Sequence, residues 1–591
     1  MKHPVLPALL AFTGLLAVVP MRAEAPAWIA KSNLNSQVLI DATSKFQPEG
    51  ASSTGLAQYD DQVADLLPGT DARFRAALVA ARDELTKRAA SETDPLILQD
   101  LAILIKSAND QIETEDLTYR LTLSYADVGQ LVFYGEFSLL QDDVAPARRA
   151  VALKRLQRYT GLEAGYTPIT QLAKDRYLET AEDPKRIGPF KGDLEQQLGN
   201  IAHYASGVRK LFAKYGLDKV EGGPAALDAM DKQLADYAAW AKATVVPRAR
   251  DDFRLPPELY ADNLKNVGLD IKPQELIQKA EVSFAEIRNE MRTLAPLVAK
   301  EHGFADSDYR SVIRELKKDQ LSKDQIEPWY HEVLGHLEDS IRSEKVATLP
   351  ARAMAMRVAS EAESAAQPAP HMQPPPLINN TGERGTFVLS MGIPQDAGSK
   401  EQNFDDFTYR AAAWTLTAHE GRPGHELQFS AMVERGVSLA RSLFAFNSVN
   451  VEGWALYCEA EMKPYEPLDG QLIALQARLQ RAARAFLDPM LNLGLITRGR
   501  AHDILTKDVC VSEAMAEQEL ERYTYRSPGQ ATAYFYGYQK LMELRTATEI
   551  ALGPKFDRLA FNDFIVGQGL LPPSLLAQAV REQFIPSQAA K

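Results

Sequence analysis

Apolar residues that return every third or fourth position constrain this chain more than any other feature. From Leu472 they recur at Leu475, Leu479, Ala482, Ala483 and Phe486, which lines one face of a helix. The run after Gly222-Gly223-Pro224 predicts another helix, reaching Val246, because proline suits a first helical turn. Similar patterns predict helices over 73–90, 147–158, 194–215, 273–300 and 324–346, and an apolar helical segment from Phe407 to Ala418. Strand patterns are sparse. The best is Thr386-Phe387-Val388-Leu389-Ser390, bounded by Gly385 and Gly392. The expected fold class is mostly α with a small β element. Arg254-Leu255-Pro256-Pro257 separates an N-terminal helical region, 26–255, from a C-terminal region, 256–591, whose helices are expected to intertwine with it. Gln367–Pro376 holds five prolines and reads as a loop.

Of the 591 residues 45% are hydrophobic and 25% charged, which excludes a disordered or collagen-like chain. The net charge of −13 argues against a nucleic-acid partner. Residues 1–25 combine Lys2, an uncharged run from Val5 to Val19 and Ala23-Glu24-Ala25. That is a secretory signal peptide with cleavage after Ala25; the run is too short and interrupted to span a bilayer. No cysteine lies near this point, so no lipid attachment is expected, and no later run is long and apolar enough for a membrane span. The expected location is the periplasm or the exterior. Cys458 and Cys510 are the two cysteines, and either a disulfide or two buried thiols is consistent with export.

A hydrolytic zinc site needs neutral imidazoles, often a carboxylate, and one open position for water. Two strings offer this. In His331-Glu332-Val333-Leu334-Gly335-His336 the histidines diverge by about 140° in a regular helix, and the flanks read as a solvated charged helix. In His419-Glu420-Gly421-Arg422-Pro423-Gly424-His425, Pro423-Gly424 breaks the helix between the histidines, which lets both rings turn to one ion. This second string is the expected metal site. Glu452, in Asn450-Val451-Glu452-Gly453-Trp454, is a carboxylate in an apolar helical context, costly unless paired or metal-bound. Glu459, seven residues on, falls near the same face and is placed to orient a ligand histidine.

Three ordered strings, HEGRPGHELQ, EGWALYCE and Arg522-Tyr523 followed by SPGQATAYFYG, resemble a large bacterial family of unknown function. Its members read HEGxPGHxxQ, EGWAxYxE and RYxxxPGQAxxYxxG. That family is similar to the zinc peptidases whose third ligand is glutamate, such as the carboxypeptidase Taq and angiotensin-converting enzyme groups. The resemblance covers about residues 380–550 and implies a two-lobed helical fold with a deep cleft. It implies one zinc ion on His419, His425 and Glu452, Glu420 as general base, and Tyr534 as oxyanion donor. One departure is Asn492, which stands where many relatives carry a histidine in D-x-G-x-H; as a hydrogen-bond donor it remains a candidate for the site.

The chemistry expected of such a site is hydrolysis of short peptides by metal-activated water. Tyr534 is preferred to Tyr538 as the phenol. Arg522 or Arg526 is a candidate fork for a substrate carboxylate, Gln530 a candidate substrate contact, and Thr386–Ser390 a candidate edge for an added peptide strand. Two other functions fit the same residues: hydrolysis of another amide or ester, and a non-catalytic peptide-binding protein with a degenerate site.

Overall fold

Most stretches of three- and four-residue apolar spacing are helices in the computed structural model, which describes residues 26–142, 144–360, 363–364, 367, 369–391 and 405–590. The segment read as a signal peptide, 1–25, lies outside the described residues. Helices α1 (Ala27–Thr43), α2 (Thr70–Ala89) and α3 (Pro95–Leu121) pack through Leu39, Phe74, Leu78, Leu101 and Leu104, and Ala440 from far along the chain closes the same core. Asp100 of α3 sits at 0% exposure and accepts from Arg441 at 2.8 Å and from Ser438 at 2.6 Å. The N-terminal helices are thereby tied to the segment that leads into the candidate site.

A second core joins α4 (Val128–Leu139), α5 (Lys191–Lys214) and α6 (Gly223–Thr244) through Val128, Val132, Leu198, Ile201, Leu227 and Leu234. The segment expected as one helix over 147–158 is two short ones, Pro146–Arg149 and Ala152–Tyr159. A third core sets α7 (Pro273–His302) against the helix predicted from Leu472. Leu276, Ala280, Phe284 and Met291 meet Leu472, Leu475, Leu479 and Phe486, and Phe284 and Phe486 stand edge to face at 5.4 Å. Each fully buried side chain of this kind contributes about 1.5–3 kcal/mol.

The remaining site elements are α8 (Lys323–Ser343), α9 (Ala412–Glu420), α10 (His425–Arg435), α11 (Ser448–Met462), α12 (Leu468–Asn492), α13 (Glu513–Glu521) and α14 (Ala533–Leu552). The helix expected from Phe407 starts only at Ala412. Helices α11 and α14 cross at a pair of glycines. A Cβ on Gly537 would lie 2.0 Å from the Val449 carbonyl oxygen, and one on Gly453 would lie 2.6 Å from Gly537. The glycines of the EGW and YFYG strings therefore permit a backbone approach that no side chain allows. That approach sets Glu452 beside Tyr534.

The sheet has three strands in the order β1 (Ala355–Val358), β3 (Thr386–Leu389), β2 (His371–Gln373). Strand β1 pairs parallel with β3, Ala355 opposite Thr386, and β2 pairs antiparallel with it, His371 opposite Val388. Two expectations are corrected. The proline-rich segment is not all loop: between Pro370 and Pro374 three residues form an edge strand, where flanking prolines cost no ladder bond. And Thr386–Ser390 has no free edge, because β1 and β2 occupy both sides of β3; the outer edges of the sheet belong to β1 and β2. Among the described residues no helix is long and apolar enough to cross a membrane.

Candidate metal centre

His419 lies in the last turn of α9 and His425 begins α10. Between them the chain reverses through Gly421, Arg422, Pro423 and Gly424. A Cβ on Gly424 would sit 1.9 Å from the His419 carbonyl oxygen, so this reversal requires glycine. The kink is clasped from both sides. Buried Arg422 donates to Glu426 at 2.6 Å, to Glu338 at 2.7 Å and to the Arg352 carbonyl at 2.6 Å. From α11, Trp454 donates to the Pro423 carbonyl at 3.0 Å and the Cys458 thiol to the same oxygen at 3.3 Å.

Helix α11 is held at its start by Asn447, whose side chain accepts from the Asn450 amide at 2.8 Å. Gln428 of α10 donates to Asn450 at 2.9 Å. This places Glu452 over the two imidazoles. Its Oε2 lies 3.3 Å from His425 Nε2 and 3.6 Å from His419 Nε2, and the two rings stand 4.8 Å apart and nearly perpendicular, at 83°. Tetrahedral ligands about 2.0–2.1 Å from zinc are about 3.3 Å from one another, which the distances of Glu452 Oε2 from the two nitrogens approach. Among the described residues Glu452 Oε2 has no hydrogen-bond partner.

Glu420 also offers an oxygen, and its ligand atom and those of His419 and His425 lie within 4.8 Å of one another. Of the two carboxylates Glu452 is the better third ligand. Glu420 Oε1 is 3.8 Å from His419 Nε2, and its Oε2 is already engaged by the Met372 amide of β2 at 2.9 Å. That leaves Glu420 with its Oε1 facing His419.

Behind His419, Nδ1 lies 2.6 Å from Glu459 Oε1, while Thr415 donates to Glu459 at 3.0 Å and Arg481 lies 3.3 Å away. Burial disfavours the His419 imidazolium, but Glu452, Glu459 and Glu420 outweigh it and raise its pKa to about 9. Burial likewise opposes the charged form of Glu452, and the two histidines hold it well below the usual carboxylate range. The cluster is thus built around positive charge, either a proton or a cation that displaces it.

The cluster opens into a cavity of about 520 Å³ lined by His419, Glu420, His425, Glu452, Arg522, Arg526, Gln530 and Tyr534. The Tyr534 ring lies parallel to His419 at 6.1 Å, and its hydroxyl oxygen accepts from Arg522 at 2.8 Å. Arg522 also donates to Gln530, whose amide reaches Glu452 Oε1 at 3.5 Å. Arg526 faces the cavity while paired with Glu521 at 2.8 Å.

Two expected participants lie elsewhere. Asn492 spends its amide on the Tyr523 carbonyl at 2.9 Å and the Asp488 carbonyl at 3.0 Å, so it braces α12 against the turn after α13. Tyr538, one helical turn past Tyr534, packs under Arg478 in the C-terminal core. His331 and His336 are both exposed on regular α8, His331 near Glu327 and His336 against Trp414, with no shared metal geometry. Cys458 and Cys510 are buried and unpaired.

Sequence reasoning missed Arg481 and the Arg484–Glu519 pair. Arg484 grips Glu519 with two contacts of 2.6 Å and stacks at 4.6 Å over Tyr534. The signal was present: a lone charge inside Ala482-Ala483-Arg484-Ala485-Phe486 marks a buried ion pair. Met372, whose amide holds Glu420, sits in the segment read as loop.

The fold and the sequence both have relatives. A structure described as a "putative lipoprotein" from Colwellia psychrerythraea superposes with a TM-score of 0.76 at 18% identity, covering 95% of this chain and 99% of that one. Another of the same description, of unknown function, from Shewanella oneidensis gives 0.70 at 18% identity over 94% and 100%. No curated protein matches. The model of one bacterial family matches residues 48–580, and the chain belongs to that family, described as bacterial protein of unknown function (DUF885).

Proposed function

We propose that this chain is an exported, zinc-dependent hydrolase that cleaves short peptides. The observation that carries the reading is the Oε2 of Glu452, 3.3 and 3.6 Å from two imidazole nitrogens on the wall of an open cavity, with Glu420 alongside. The donor set of two imidazoles and one carboxylate suits zinc. When bound, zinc lowers the pKa of a water molecule to about 7 and polarises a carbonyl.

The chain's own residues supply the rest. Glu420, steadied by the Met372 amide, takes a proton from the attacking water and returns it to the leaving amine. Tyr534 receives a hydrogen bond from Arg522 and is left free to donate its own proton toward the carbonyl oxygen as charge develops there. The outer edge of β2 runs beside Glu420, which favours an extended peptide as substrate. Export rests on the signal-like residues 1–25, and the name given to the two structural relatives agrees with it.

The test combines metal analysis with turnover. Protein purified without chelators is expected to hold one zinc, lost in His419→Ala and kept in His331→Ala. Glu420→Gln should keep the metal and stop digestion of a peptide library read by mass spectrometry. Unchanged turnover, or metal lost only with His331→Ala, overturns the assignment.

A further inference from the structure

A second cavity, of about 740 Å³, adjoins the first. Both are lined by Gln367, His371, Met372 and Pro374, so β2 and its flanks form the partition between them. The far wall is α4. One face of this helix buries Val128, Val132, Phe133 and Leu139. The other turns Leu131, Tyr134 and Phe137 to the cavity. Residues three apart drift by only about 60° around a helix, so these three form one apolar stripe. Tyr134 remains 38% exposed, and its ring meets Phe137 edge to face at 6.3 Å. From the β2 side Met372, Pro374 and Pro376 face the same space.

Three acidic groups of the lining are already engaged. Glu49 accepts from Tyr159 at 2.6 Å and from the Ala64 amide at 2.9 Å, Asp127 caps α4 through the Gln130 amide at 3.1 Å, and Glu363 grips Arg357. The aromatic and aliphatic stripe stays open to the cavity, which Arg384 also lines. Grouped apolar side chains facing a cavity mark a binding surface.

We propose that this outer cavity is an extended subsite, taking a bulky apolar or aromatic side chain of an oligopeptide laid across β2 with its scissile bond beside Glu420. The inference rests on the hydrolase reading above and adds the length and character of the substrate. Each cavity falls within the size of about 300–1,000 Å³ that encloses one compact ligand, so a dipeptide fills the inner one and only a longer chain reaches both.

The experiment uses the full chain and alanine–serine octapeptides carrying one phenylalanine, walked through every position, with a phenylalanine-free octapeptide and a tripeptide as references. In wild type one phenylalanine position should raise kcat/KM over the phenylalanine-free peptide. In the Tyr134→Ala, Phe137→Ala double variant the ratio of kcat/KM for that peptide to that for the tripeptide should fall about tenfold or more. Leu131→Trp, which narrows the cavity, should move the preference to smaller side chains. A ratio that both changes leave untouched overturns the subsite. Binding of fluorescent octapeptides to Glu420→Gln protein separates the two claims. If wild type cleaves nothing, the hydrolase reading fails, yet phenylalanine-dependent binding that the double variant loses still establishes the subsite. No phenylalanine-dependent binding at all rejects it.

Discussion

Nδ1 of His419 and Oε1 of Glu459 lie 2.6 Å apart, both shut off from solvent. With Nδ1–H donated to this carboxylate, the Nε2 lone pair is directed at Glu452 and the cavity. Removing such a partner costs about 10–100-fold in metal affinity. Glu459→Ala is therefore expected to weaken zinc binding by that factor, measured by competition with a chromophoric chelator. Wild-type affinity in that variant would mean that the ring needs no such brace.

Tyr534→Phe removes a donor and keeps the ring that stacks on His419 and under Arg484. Loss of one oxyanion donor costs about 10²–10³ in kcat. The expected result is a fall of that order in kcat with KM little changed, in steady-state hydrolysis of a cleaved library peptide. A KM effect alone would assign the phenol to substrate binding instead.

The glycine crossing of α11 and α14 makes a stability prediction. A methyl group at position 537 would have to occupy space 2.0 Å from the Val449 oxygen. Overpacking of this kind costs about 1–3 kcal/mol or more. Gly537→Ala should lower Tm and also weaken zinc binding, because the helices that part carry Glu452 and Tyr534. Calorimetry with and without zinc reads both.

Glu136 supplies a pH dependence independent of the metal. It is at 0% exposure, and neither carboxyl oxygen has a hydrogen-bond partner among the described residues. Burial pushes its pKa up to about 8 from 4.5, against the pull of Arg155 and with some help from Glu49. Between those values the folded state holds a proton that the unfolded state has released, so stability falls as pH rises through the window. Glu136→Gln is neutral at every pH and should flatten that part of the slope. Urea unfolding at about pH 5 and pH 8 checks it; an equal fall in both proteins would place the proton elsewhere.

The helices were legible because their apolar stripes are long and regular, as from Leu472 to Phe486. The strand β3 was legible from five residues between glycines. Strand β2 was not, because its three residues are flanked by Pro370 and Pro374 and acquire their conformation only by pairing with β3. Within the site, His419, His425 and Glu452 were readable from residue type and from the Pro423-Gly424 break. The places taken by Asn492 and Tyr538 were not readable, since a hydrogen bond to the Tyr523 carbonyl or a position under Arg478 is decided by packing between distant segments. Glu519, the partner of Arg484, left no local mark either.

The Asp100–Arg441 contact has a practical outcome for anyone wishing to transplant this centre. Arg441 precedes the Asn447 cap of α11 by six positions, and its neutralising carboxylate comes from α3, 341 residues earlier in the chain. A fragment starting at residue 256 would lose Asp100 and, with it, Trp28 and the N-terminal core that cover Arg441 and Ala440, and so would release the segment that leads to Glu452. The histidine hairpin cannot be excised as a self-sufficient graft, because the aim of its third donor is inherited from the opposite end of the polypeptide.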